Sequence, residues 1–169
     1  MAKKLARFIQ DQLRWVEMEY PWPRDGELPS DLLKDLSTTN NKLSTYEFED
    51  DESFLRIASA FAYTRNKREK LDFIVFDADD LKDLNISPEK SGGITGDVFV
   101  NEKHWDLVNL SAEDIVKFAH YLSQRGETKR VLEETLFQGI YKSLSASWIS
   151  KGVLQSKILE GLKKWTIWT

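Results

Sequence analysis

The stretch Leu71 to Leu84, LDFIVFDADDLKDL, constrains the fold more than any other. Its apolar run of Leu71, Phe73, Ile74, Val75 and Phe76 is too short for a helix and is bounded by acids. Such a run reads as a strand buried on both faces, and so as the centre of a sheet. Asp77, Asp79 and Asp80 follow where the chain leaves the sheet, the edge at which open sheets tend to bind ligands.

The residues just before this strand predict its neighbours. Lys42 to Phe48 reads as a strand with Tyr46 and Phe48 on one face. Glu49, Asp50 and Asp51 then open a helix whose apolar stripe is Phe54, Ile57, Ala58, Phe61 and Ala62. Acids in its first turn and the bases Arg65, Lys67, Arg68 and Lys70 at its end match the helix macrodipole, so RNKREK reads as a solvated helix end. A strand-helix-strand unit is usually parallel, which predicts that Glu49, Asp50 and Asp51 lie beside Asp77, Asp79 and Asp80.

Elsewhere, periodicity decides. Leu5, Phe8, Ile9, Leu13, Val16 and Tyr20 recur at three- and four-residue steps and predict an amphipathic helix over residues 3–20, ended by Pro21, Pro23 and Gly26. Ser30 is placed to cap a short helix from Asp31 to Leu36. Leu81 to Leu84 reads as a helical turn. Pro88 to Gly96, PEKSGGITG, lacks the spacing of a phosphate-cradling loop and reads as a surface loop, with a lid over the acidic edge as one role. Asp97 to Asn101 and Trp105 to Leu110 read as a hairpin. Ser111 begins a capping box, and the helix it starts, with Ile115, Val116, Phe118, Ala119 and Leu122 as its stripe, stops at Gly126. From Glu127 onward the stripes Val131, Leu132, Leu136, Ile140, Leu144 and Leu154, Ile158, Leu162, Trp165 predict a helical hairpin.

The expected fold is α/β, with α+β as the alternative. It is a single domain over residues 1–169: an α/β core with an N-terminal helix over 1–126, built on a small mixed sheet of about four strands, and a helical C-terminal extension over 127–169.

Composition narrows the chemistry. There is no cysteine, which excludes disulfides, thiolate nucleophiles and thiolate zinc sites, and His104 and His120 alone cannot build a histidine-rich metal centre. Residues 71–126 hold 11 acids and 5 bases, whereas 127–169 hold 4 acids and 7 bases, within a total of −4. An acidic middle repels phosphate backbones, so nucleic acid is an unfavoured partner. No segment has the apolar length of a signal peptide core or a membrane span, and a cytoplasmic location is the expectation.

The acids carry the chemical hypotheses. Asp77, Asp79 and Asp80 form an oxygen-only set suited to magnesium or manganese and to phosphoryl transfer or phosphodiester cleavage. FDADDL partly resembles the first motif of the haloacid dehalogenase-type phosphatases, over about six residues and with Asp80 where that family has Gly. That resemblance implies Asp77 as nucleophile and Asp79 as acid and metal ligand. The plainer reading has Asp50 or Asp51 and Asp79 or Asp80 capping helices.

The leading expectation is a non-enzymatic, cofactor-free protein-binding module, such as an inhibitor, an immunity or antitoxin-like protein or a complex subunit. It offers an acidic surface, Glu49, Asp50, Asp51 and Asp80, to a basic partner such as a nuclease. Trp165 and Trp168 in the tail KKWTIWT read either as core closure or as interface anchors.

Overall fold

The computed structural model describes residues 3–16, 27–67 and 69–168. Its architecture is mixed α/β: six strands, β1 (Lys4–Ile9), β2 (Leu43–Phe48), β3 (Lys70–Asp77), β4 (Ser87–Lys90), β5 (His104–Val108) and β6 (Glu127–Leu132), form one sheet in the order β4-β5-β2-β1-β3-β6. Every neighbouring pair is antiparallel. The helices are α1 (Leu32–Asp35), α2 (Asp51–Arg65), α3 (Val98–Glu102), α4 (Ala112–Arg125), α5 (Glu133–Ser145) and α6 (Ser156–Trp168).

Alternation along the central strands sorts their side chains into two cores. Ala6, Tyr46, Phe48, Leu71, Phe73 and Val75 pack with α2, α5 and α6 on one face, and Leu5, Ile9, Leu43, Ile74 and Phe76 pack with α1 and α4 on the other. Phe73 joins Phe8, Phe54 and Phe61 edge-on at 5.2 to 6.0 Å between ring centroids, a spacing that favours aromatic pairs beyond their buried area. The Leu71–Phe76 run is thus buried on both faces, as its composition requires.

Several expectations are corrected. Residues 3–16 do not form a helix: Lys4–Ile9 is a central strand and Gln12–Trp15 a 3-10 turn, while residues 17–20 and the Pro21, Pro23 and Gly26 turn lie outside the described residues. Leu5, Ala6, Phe8 and Ile9 fit a helical stripe equally well, but a strand with partners on both sides buries apolar groups on both faces. Because this strand separates β2 from β3, those two run in the same direction without touching, and the sheet has six antiparallel strands rather than about four in a mixed arrangement.

The hairpin expected over residues 97–110 is absent, because the Asp97 carboxylate accepts the Phe99 and Val100 N–H groups and starts α3. Strand β5 pairs instead with β2 and with β4, the latter drawn largely from the segment read as loop. Glu127–Leu132 is strand, not helix: as an edge strand it needs little apolar surface, and Arg130 opposite Asp72 pins its register. Helix α1 begins at Leu32, with Asp31 rather than Ser30 at its N-cap and no side-chain cap bond, and the turn read at Leu81 to Leu84 is a 3-10 turn over Ala78–Leu81.

The helices α2 and α4 form as read, with capping boxes at Asp50 and Ser53 and at Ser111 and Asp114. Helix α5 packs between α2 and α6, with Leu136, Ile140, Ile158 and Leu162 in one core. Among the described residues, no helix is long and apolar enough to cross a membrane.

Candidate functional site

The acidic strand ends come first, since the sequence points there. Lys4 stands opposite Phe48 on one side and Asp77 on the other, so the carboxyl ends of β2 and β3 lie two strand spacings apart, about 10 Å. The acids beyond them are occupied one by one. Asp50 accepts the Ser53 N–H at 2.7 Å, a bond that holds its carboxyl below the usual range. Glu49 pairs with Lys103 at 2.7 Å, Asp51 with Lys129 at 3.5 Å and Asp79 with Lys82 at 3.7 Å. Asp80 accepts the Tyr121 hydroxyl at 2.8 Å, and burial followed by that bond pushes the phenol well up.

Asp77 ends β3, as the motif reading requires, and Asp79 follows in the 3-10 turn with its side chain 70% exposed. Among the described residues no three Asp, Glu or His side chains converge on a point where a metal ion would sit. The set Asp77, Asp79 and Asp80 is therefore close in sequence without forming a ligand cage. Trp165 packs against Tyr141 at 5.8 Å and against the core; the side chain of Trp168 lies outside the described residues.

A different place in the fold gathers more chemistry. The β1–β2 ladder stops at Ala6 opposite Tyr46, whereas β1 stays paired with β3 to Ile9 and β2 stays paired with β5 to Leu43. The two central strands therefore splay apart, and unpaired backbone groups there need partners. Arg7 supplies one: its guanidinium donates to the Ser44 carbonyl at 3.0 Å and, by two bonds of 3.1 and 3.2 Å, to the Asp35 carbonyl. Burial, then the nearby Arg65, lowers the Arg7 pKa to about 10, so it stays charged at neutral pH.

A cavity of about 560 Å³ opens over this seam. Arg7, Ser44 and Tyr46 line its strand side, Phe61, Thr64 and Arg65 come from the end of α2, and Lys42, His104, Asp106 and the segment Gly92–Thr95 complete it. The Arg65 guanidinium lies 4.7 and 5.0 Å from the ring centres of Phe8 and Phe61, so cation–π contact orders the charge without neutralising it. Tyr46 stacks obliquely on His104 with 4.8 Å between centroids. Burial pushes the Tyr46 phenol up, against the lowering effect of Arg65 and Arg7 and with a further upward push from Asp106. Asp106 Oδ1 accepts the Ser44 hydroxyl at 3.1 Å and lies 3.6 Å from His104 Nε2, while His104 Nδ1 is 2.9 Å from the Ser91 hydroxyl. Burial lowers the His104 pKa, so this imidazole is neutral at pH 7.

The Gly92–Thr95 segment, part of the Pro88 to Gly96 stretch read from sequence as a surface loop with a lid over the acidic edge as one role, lines this cavity instead. It is fastened to α3 because Asn101 Oδ1 accepts the Thr95 N–H at 2.8 Å and the Thr95 hydroxyl at 2.7 Å. A Cβ on Gly93 would stand 2.7 Å from that same oxygen, which is why glycine occupies the position.

Sequence reading missed Arg7, Tyr46, His104 and Asp106 and assigned Arg65 to a solvated helix end. One signal was available: Arg7 interrupts the apolar run Leu5, Ala6, Phe8 and Ile9, and a guanidinium in a strand core needs a local reason. Comparison of the chain with family models, with curated proteins and with solved structures gave no match.

Proposed function

We propose that this chain is a binding module whose recognition site is the cavity over the opened β1–β2 seam, and that its ligand presents an anionic group to Arg7, Arg65 and Lys42. One observation carries this reading: in a chain of net charge −4, three cations line one cavity and, among the described residues, none has a carboxylate within ion-pair distance. Held cations facing a cavity attract an anion by charge-assisted hydrogen bonds, which are about twice as strong as neutral ones. The volume of about 560 Å³ falls within the range of small-molecule sites.

Thermal melts in low-salt buffer, with phosphate and sulfate titrated in, test the reading. A ligand that binds only the folded state stabilises it by about 2.7 kcal/mol at roughly a hundred times its Kd. In a chain of this size that raises Tm by roughly 5 to 11 °C. The rise should shrink in Arg65→Gln and Lys42→Gln. No rise with either anion, or an equal rise in both variants, refutes the assignment.

A second reading keeps a protein partner and places the contact at the acidic strand ends. It is favoured by the solvation of Asp51 and Glu49, whose side chains are 97% and 72% exposed although paired. Exposed charges steer association, so the triple variant Glu49→Gln, Asp51→Asn, Asp79→Asn should slow the capture of a basic partner at low salt. Unchanged association kinetics would remove this surface from consideration.

A further inference from the structure

Resting on the anion-binding reading, we infer that the ligand of the seam cavity is a phosphate monoester of a small hydroxylated compound, with its phosphate on the arginines and its hydroxyls on Asp106. The charged side chains that line the cavity are Arg7, Lys42, Arg65 and Asp106, three positive and one negative, beside a neutral His104. Asp35 does not line the cavity; its carboxylate accepts the Gln10 N–H and the Trp15 indole N–H, though its charge is felt by Arg7. The carboxyl end of α2 adds partial negative charge nearby, which Arg65 in its last turn offsets. The surplus of the lining groups suits a group of charge near −2, and a phosphate monoester carries about −1.5 to −2 at pH 7 whereas a carboxylate carries −1.

Two unused polar atoms specify the rest of the ligand. The Ser44 hydroxyl, the one hydrogen-bond donor to the Asp106 carboxylate among the described residues, falls on Oδ1, which leaves the acceptor capacity of Oδ2 to a ligand in the cavity that Asp106 lines. That oxygen only accepts, and so calls for an O–H or N–H donor on the ligand. The Tyr46 hydroxyl likewise has no hydrogen bond among the described residues, yet it is not among the buried, unsatisfied atoms, so it opens into the cavity. Inorganic phosphate would reach the cations and leave Asp106 Oδ2 beside an anion with nothing between them. A phosphorylated polyol separates the two and satisfies both. The cavity is also several times larger than a phosphate group needs, and sites that recognise hydroxyl donors discriminate strongly because their own polar groups are otherwise left unpaired.

Isothermal titration calorimetry on the full chain decides it, with ribose 5-phosphate, inorganic phosphate, ribose and a phosphoserine peptide as probes. The expected result is that ribose 5-phosphate binds at least tenfold more tightly than inorganic phosphate, that ribose alone does not bind, and that Asp106→Ala abolishes the tenfold advantage while leaving inorganic phosphate bound as well or better. Equal affinity for inorganic phosphate and ribose 5-phosphate overturns this inference while the anion site stands. Failure of all four probes overturns both. A phosphoserine peptide that binds tenfold more tightly than ribose 5-phosphate overturns the small-molecule assignment. An Asp106→Ala variant that loses both phosphates equally makes Asp106 a structural residue and overturns its role. Should that variant unfold, the wild-type ranking of the four probes decides alone.

Discussion

Arg56 is the residue whose removal has the most calculable cost. Its guanidinium donates to both oxygens of Asp97, at 2.5 and 2.8 Å, and lies 4.5 Å from the ring centre of Phe99 and 3.8 Å from that of Trp148. Asp97 is 1% exposed and keeps only the N–H groups of Phe99 and Val100, the second at 3.4 Å, once the guanidinium is gone. Arg56→Met preserves most of the stem that packs between the two rings and deletes the charge, leaving a carboxylate buried and half-satisfied. Breaking a buried pair on one side costs about 3 to 5 kcal/mol. In a chain of this size each kcal/mol moves Tm by about 2 to 4 °C, so the variant should melt roughly 6 to 20 °C lower. Urea denaturation gives the free energy directly, and the double variant Arg56→Met, Asp97→Asn should regain at least half of the loss, because it removes the stranded charge. A loss below about 1 kcal/mol, or a double variant whose loss is the sum of the two singles, would refute the reasoning that the pair acts as a unit.

Two other outcomes follow from burial and charge. Leu136→Ala and Ile158→Ala, one in each C-terminal helix and both fully buried, should each cost about 2 to 5 kcal/mol in urea melts, and losses under about 0.5 kcal/mol at both would mean a loosely attached arm. For His104, burial lowers the folded-state pKa, and an unfolded histidine takes its proton near pH 6.5. The stability from the neutral ring is therefore complete above about pH 6.5 and lost as pH falls toward the depressed value. Thermal melts at constant ionic strength should show Tm falling as pH drops below about 6.5, with the slope reduced in His104→Gln, and equal slopes for the two proteins would count against the assignment.

The core strand and the capped helices were legible because their signals are local. Leu71 to Phe76 has no solvent-facing positions to spare, and the acids and serines ahead of α2 and α4 satisfy N–H groups within a few residues of themselves. Lys4–Ile9 was not legible as a strand, because a central strand loses the alternation that distinguishes it, and six residues of KLARFI satisfy either period. Glu127–Leu132 failed for the opposite reason. Its register is fixed by Arg130 meeting Asp72 across 58 positions, which no window of sequence contains. The seam cavity joins Arg7, Lys42, Arg65 and Asp106, and only the course of the chain brings them together. The acids, conspicuous because they are close in sequence, are engaged locally: Asp50 caps α2, Glu49, Asp51 and Asp79 pair with lysines, and Asp80 accepts the Tyr121 hydroxyl.

The position of β1 has a kinetic consequence. One strand, early in the chain order, zips the trio β4-β5-β2 to the pair β3-β6, and its partners lie tens of residues downstream. During synthesis that strand emerges long before either neighbour exists, so the sheet cannot close until residues beyond Asp77 have been made. Loops of this length must be closed before the pairing repays them, and topologies dominated by such contacts fold slowly. In the interval β1 and β2 present open edges to solvent, and an unpaired edge is a template for any other strand. A nascent chain whose emerged part ends between Phe48 and Asp77 therefore carries β1 with one edge unpaired, and the arrival of β3 is the first point at which β1 has both neighbours.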